Sequence, residues 1–151
     1  MLHTLTTASN RDDLDVTPDA VLVLKNIGPI GNPGMPEAGV IPLPRSKLRG
    51  TNTTDMLRLS DGRMSGTAGG TIGLHISPEA AIPGSPFRLV RSGDIIRMNL
   101  EKRSLDVDIP NEELARRKAE DEQKAWLQIQ RRATHSTERT REVIVDCTKP
   151  R

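Results

Sequence analysis

Residues 25–44, KNIGPIGNPGMPEAGVIPLP, and residues 59–81, LSDGRMSGTAGGTIGLHISPEAA, decide how this chain is read. Each is a glycine-dense loop beside a short apolar run. Each carries one group able to do chemistry, Glu37 in the first and Ser65 in the second. Glycine costs backbone entropy and is kept where φ must be positive or where a ligand touches main chain. Two such loops next to strand-like segments read as a substrate site rather than as generic surface.

Outward from the loops, residues 20–25 (AVLVLK) form a short apolar run of strand type, too short for a helix. Residues 26–44 hold five prolines and four glycines, which forbids regular structure and implies an ordered loop. Residues 45–52 read as a basic connector. Residues 55–60 (DMLRLS) alternate as a half-buried strand does, 61–70 form the second loop, and 71–76 are again strand-like. SPEAA at Ser77 is able to start a short helical turn. Residues 85–90, 94–100 and 104–109 are three more strand candidates, punctuated by Ser92-Gly93 and Lys102-Arg103, and suggest a β-meander or part of a barrel. After Pro110 the pattern predicts a helix from Glu112 to about Arg132, with Asn111 as N-cap and Glu112 and Glu113 in the first turn, where the helix dipole favours negative charge. The fold class expected is α+β and β-rich. The domain is placed at 18–133, after an extended lead-in at 1–17 and before a flexible basic tail at 134–151.

Composition narrows the function. The chain has 151 residues, so one domain is the prior, and its hydrophobic fraction is 34%. One Trp, one Phe and no Tyr leave the core to Ile, Leu, Val and Met, and leave no stacking platform for nucleic acid. Net charge is +2, too balanced to demand a polyanion. The single cysteine, Cys147, excludes an internal disulfide framework, a self-contained thiolate zinc site and an iron–sulfur cluster built by this chain alone. No apolar run approaches the ~20 residues of a membrane span, and the start of the chain lacks the apolar core of a secretory signal. A soluble, cytoplasmic protein is expected, with a mitochondrial location left open.

Two readings stand beside each candidate residue. Glu37 is either a carboxylate ligand for a hard cation such as Mg2+, presented on a backbone stiffened by Pro33, Gly34 and Pro36, or a solvated loop glutamate. Ser65 is either a base or nucleophile exposed on a tight turn, or part of a Ser/Gly turn without chemistry. An intermediate reading is a carboxylate- or phosphate-binding loop. A serine alkoxide needs nearby positive charge or donors, which Arg63 and the amides of Gly66, Thr67 and Gly69 are placed to supply. The loop lacks the Lys-Ser/Thr ending of a nucleotide P-loop, which discounts ATP and GTP. His75, between Leu74 and Ile76, reads as a hydrogen-bonded structural histidine. Asp61 and Glu79 are placed to order Arg63 or His75.

At these residues the chain resembles the C-terminal domain of the dihydroxy-acid dehydratase/phosphogluconate dehydratase family, nearest to its members acting on sugar acids. The resemblance rests on NIGPIGNPGMPE, DMLRLSDGRMSGT, GLHISPEAA, LVRSGDII and LEKRSLDVDI, five pieces in order from about Asp15 into the helix. It implies a hydro-lyase (carbon–oxygen lyase) that dehydrates a 2,3-dihydroxy acid or aldonate to a 2-keto acid. It implies Ser65 as the proton-abstracting base and Glu37 as a magnesium ligand; Arg63, Gly66 and Thr67, which share the Ser65 loop, are then expected at the substrate. It implies an iron–sulfur cluster held by cysteines of a larger N-terminal α/β domain, and a compact, swivelling, β-barrel-like domain with flanking helices packed on it. The expected partners are the hydroxy acid, that N-terminal domain or a full-length homologue, and an open question of homo-oligomerisation, with neither nucleic acid nor membrane. As a truncated or split chain, the protein alone is expected to be inactive. The alternative is a non-catalytic relic that binds acidic metabolites or another subunit.

Overall fold

The computed structural model describes residues 16–66, 69–132 and 143–146. Its centre is β1 (Val21–Leu24), four apolar residues buried on both faces. Side chains alternate across a strand. Leu22 and Leu24 therefore join Val16, Ala20, Ile27, Ala38, Ile41, Leu48 and Met56 on one side. Val21 and Val23 join Leu59, Ala80 and Phe87 on the other. A strand covered on both faces reads as a continuous apolar run, which is why AVLVLK carries no polar alternation. Each buried Val, Leu, Ile, Met or Phe among them contributes about 1.5–3 kcal/mol by leaving water.

β2 (Arg58–Ser60) lies parallel to β1, with Leu22 opposite Arg58 and Leu24 opposite Ser60. β3 (Ile72–Gly73) lies parallel to β2. β6 (Val143–Asp146) pairs antiparallel with β1, so the sheet order is β3-β2-β1-β6. Residues 143–146 belong to the span assigned to the tail. Parallel neighbours cannot be joined by a tight hairpin and need a crossover. Here the two crossovers are the glycine loops. Because β1 and β2 run the same way and end level, at Leu24 and Ser60, both loops leave the same edge of the sheet side by side.

β4 (Ile96–Asn99) and β5 (Ser104–Val107) form a separate antiparallel hairpin, turning where Lys102-Arg103 was expected to punctuate the strands. The helix after Pro110, α3 (Asn111–Arg132), begins one residue before the expected start, with Leu114 N–H donating to the Pro110 carbonyl at 3.0 Å. The strand expected over 85–90 is instead a four-residue helix, α2 (Pro86–Leu89). Ser85 caps it, its Oγ accepting from Arg88 N–H at 3.2 Å, and Pro86 occupies the first turn, where its missing N–H costs nothing. The basic connector holds a further short helix, α1 (Arg45–Leu48). The described elements are thus a small α+β fold with an open mixed sheet. Its strands do not close into a barrel.

α3 is fastened to the rest by charge. Arg117, 8% exposed, forks onto Asp94 with Nη1–Oδ2 at 2.5 Å and Nη2–Oδ1 at 2.8 Å, and also donates to Glu113 and to the Leu89 carbonyl. The Asp94 bond, against the cost of burial, raises the Arg117 pKa further, so the guanidinium stays charged. Asp121 accepts from Arg88 Nε and from Gly84 N–H.

Candidate active site

The topology puts the two loops at the carboxyl ends of adjacent parallel strands, the edge at which open α/β sheets present ligand sites. The loops are stitched together there. Ser65 N–H donates to Glu37 Oε1 at 3.0 Å. Ala38 N–H donates to the Arg63 carbonyl at 3.0 Å, and Arg63 Nε donates to the Met35 carbonyl at 2.6 Å. Glu37, Arg63 and Ser65, singled out from separate segments, therefore share one small area. Glu37 and Arg63 are exposed and Ser65 is half-buried, so the cluster faces outward. Gly34 at φ 84° and Met35 at φ 41° turn the chain so that Glu37 points back to the second loop. A Cβ added at Gly66, next to Ser65, would meet nothing within 4 Å, which leaves open space there. Thr67 lies outside the described residues.

Below this surface two buried carboxylates build the loops. Asp61, 1% exposed, accepts Ile27 N–H on Oδ1 at 3.1 Å and Asn26 and Ala80 N–H on Oδ2 at 3.0 Å each. Glu79, 6% exposed, accepts Ile30 N–H at 2.6 Å and, at a longer 3.5 Å, Gly31 N–H. From the sequence, either is able to order Arg63 or His75, though neither forms a pattern by itself. Both instead hold the main chain of the first glycine loop, where a ring of N–H donors is the stronger attraction for a buried carboxylate. The glycines follow from this closeness. A Cβ on Gly28 would lie 1.9 Å from Glu79 Oε2, and one on Gly31 would lie 2.8 Å from the Asn26 carbonyl carbon. His75 is exposed at φ 55°, and its main-chain N–H, donating to the Gly62 carbonyl at 3.1 Å, does the bonding.

The far end of the second loop is anchored by Arg58 and Asp55. Asp55 accepts Thr71 N–H at 2.5 Å and Arg58 Nη2 at 2.9 Å. Its desolvation works against ionisation, but the hydrogen bonds from Thr71 and Met56 and the Arg58 charge together hold its carboxyl below the ordinary range. Neither residue was singled out from the sequence. The available signal was a charged residue inside an otherwise strand-like DMLRLS.

Metal ligation is incomplete here. Among the described residues no group of three His, Cys, Asp or Glu is arranged to hold a metal ion. Glu37 offers one carboxylate, whereas Mg2+ demands an octahedron of oxygens. Among the same residues no helix is long and apolar enough to cross a membrane.

Comparison with known proteins places the chain. Residues 3–146 match the family model described as dihydroxy-acid/6-phosphogluconate dehydratase C-terminal. The chain is 50% identical over 111 residues to an L-arabinonate dehydratase of Rhizobium leguminosarum bv. trifolii, covering 74% of this chain and 19% of the relative. It is 50% identical over 106 residues to a 6-deoxy-6-sulfo-D-gluconate dehydratase of Pseudomonas putida, covering 70% of this chain and 18% of the relative. It is 42% identical over 114 residues to a mitochondrial dihydroxy-acid dehydratase of Aspergillus fumigatus, covering 75% of this chain and 18% of the relative. The chain spans about a fifth of the length of these curated relatives. It belongs to the dihydroxy-acid/6-phosphogluconate dehydratase family, as a C-terminal segment.

Proposed function

We propose that, as a member of this family, the chain is the C-terminal part of a hydro-lyase that removes water from a sugar acid or other 2,3-dihydroxy acid to leave a 2-keto acid. The observation that carries the reading is the bond from Ser65 N–H to Glu37 Oε1, which brings the two chemically able loops into one outward-facing cluster. The sugar-acid choice is supported by relatives named for L-arabinonate and 6-deoxy-6-sulfo-D-gluconate at 50% identity, against 42% for the relative named for dihydroxy acids.

In this reading Ser65 takes the C2 proton. Its main-chain N–H is held by Glu37, which fixes the position from which the hydroxyl projects, and placement of the reacting group is worth much in proton transfer. Arg63 contributes positive charge beside it, with Nε already committed to the Met35 carbonyl. Glu37 is one magnesium ligand. The described residues do not complete that site, and Cys147 alone cannot hold an iron–sulfur cluster, so the remaining oxygen ligands and the cysteines are assigned to the rest of a longer polypeptide or to a full-length homologue. This segment is then the small swivelling body of that enzyme, packed on its α/β domain.

A chimera tests this. The matching segment of the L-arabinonate dehydratase is replaced by this chain, and 2-keto acid formation from L-arabinonate is followed. The expected result is turnover by the chimera, none by the 151-residue chain alone, and loss on Ser65→Ala or Glu37→Gln with the fold retained. A Ser65→Ala chimera with undiminished kcat contradicts the assignment.

A further inference from the structure

Arg58 is a buried cation whose bonds run to both loops. It stands on β2, the strand that separates the two loops in sequence, and is 3% exposed. Its Nη1 donates to the Ile41 carbonyl at 3.3 Å, in the run that closes the first loop. Its Nη2 donates to the Gly69 carbonyl at 2.6 Å, near the end of the second, and to Asp55 Oδ1 at 2.9 Å. Ile41 follows Glu37 by four residues and Gly69 follows Ser65 by four. One planar guanidinium thus ties the stem of the Glu37 loop to the stem of the Ser65 loop.

The arrangement is costly. Arg58 Nε is buried without a hydrogen-bond partner, and an unpaired buried donor destabilises the fold. Gly70, at φ 99°, is needed for the approach, since a Cβ there would lie 2.1 Å from Arg58 Nη2. An apolar side chain of similar size would fill the space without stranding Nε. What it would lack is donors aimed in two directions from a rigid fork. We infer that Arg58 is a positioning residue, setting the spacing of the Glu37 and Ser65 loops from beneath. The inference rests on the reading of Glu37 and Ser65 as one site.

The test is a coupling measurement on the whole 151-residue chain by amide NMR. In the parent protein Glu37→Gln replaces the acceptor of the Ser65 N–H and shifts that resonance. In an Arg58→Met background the spacing is no longer set from beneath, and the same Glu37→Gln change shifts the Ser65 amide by less than it does in the parent. The amides of Val23 and Ala80 keep their shifts and exchange protection in both, which a general loss of structure would not permit. If Arg58→Met does not fold, Arg58→Lys is read in the same way, because a single ammonium nitrogen replaces the two separate nitrogens of the fork that reach the Ile41 and Gly69 carbonyls. A Ser65 response of full size in either Arg58 variant overturns the inference. Absence of any response in the parent protein overturns instead the joining of Glu37 to Ser65, and with it the functional reading.

Discussion

Replacing Asp61 probes the base of both loops at once. The carboxylate is 1% exposed and accepts three main-chain N–H groups, those of Asn26 and Ala80 on one oxygen and that of Ile27 on the other. The Ile27 and Ala80 bonds are buried and the Asn26 bond is partly so. A buried donor left without a partner costs about 1–3 kcal/mol, so Asp61→Ala is expected to cost about 2–6 kcal/mol. That is a large share of the roughly 5–15 kcal/mol that holds a domain folded. Asp61→Asn is milder by a definite amount. Its amide oxygen can take the two-bond position, keeping Asn26 and Ala80, while its NH2 faces the Ile27 N–H, at a cost of about 1–3 kcal/mol. Urea unfolding followed by far-UV circular dichroism reads both, and the Asn variant should lower the midpoint by on the order of 1 M. An Ala variant within about 0.5 kcal/mol of the parent, the range of an ordinary surface change, refutes the reasoning. So does an Asn variant that is as unstable as the Ala one.

Glu113 is held down to about 2 by its hydrogen bonds from Arg116 and Arg117. Its folded value lies below its ordinary 4.5, so its stabilisation is present above 4.5 and is lost as pH falls toward 2. Thermal melts across that window should lose stability more steeply in the parent than in Glu113→Gln, and equal slopes would contradict this. Arg117→Ala strands the buried Asp94 carboxylate and is expected to cost about 3–5 kcal/mol in chemical denaturation, with a loss below about 1 kcal/mol counting against the pairing. Gly31→Ala drives a Cβ against the Asn26 backbone and should cost about 1–3 kcal/mol, whereas Gly66→Ala projects into open space and should stay within about 0.5 kcal/mol. Similar losses at the two glycines would mean that the second loop is covered where the structure leaves it open.

The legible parts of the chain are those whose pattern and packing agree. AVLVLK is apolar on both faces and becomes the doubly covered β1. The alternation of residues 94–100 and 104–109 becomes the β4–β5 hairpin, and the acidic first turn after Pro110 opens α3. Residues 85–90 mislead because SPFRLV alternates like a strand, while the Ser-Pro pair that starts α2 is a two-residue signal. Thr71–Ile76 shrinks to a two-residue strand because His75 turns to positive φ. At the site, Glu37 and Ser65 stand out because reactive side chains among glycines are conspicuous. Asp61 and Glu79 are visible only as neighbours of Arg63 and His75, and Arg58 not at all, since charged residues mostly lie outside and these are buried by partners that sit on main chain far along the sequence. No periodicity reports a carboxylate that folds a loop 34 residues away.

The joining of the two glycine loops can be observed at a single bond. In uniformly 13C,15N-labelled protein, a scalar coupling transmitted through the hydrogen bond should connect the Ser65 amide nitrogen to the Glu37 carboxylate carbon, and the Ser65 amide should exchange with water more slowly than an exposed one. That result places the carboxylate and the serine in one cluster, as the 3.0 Å contact requires. A Ser65 amide that exchanges at the rate of an open chain and shows no coupling to Glu37 contradicts the account.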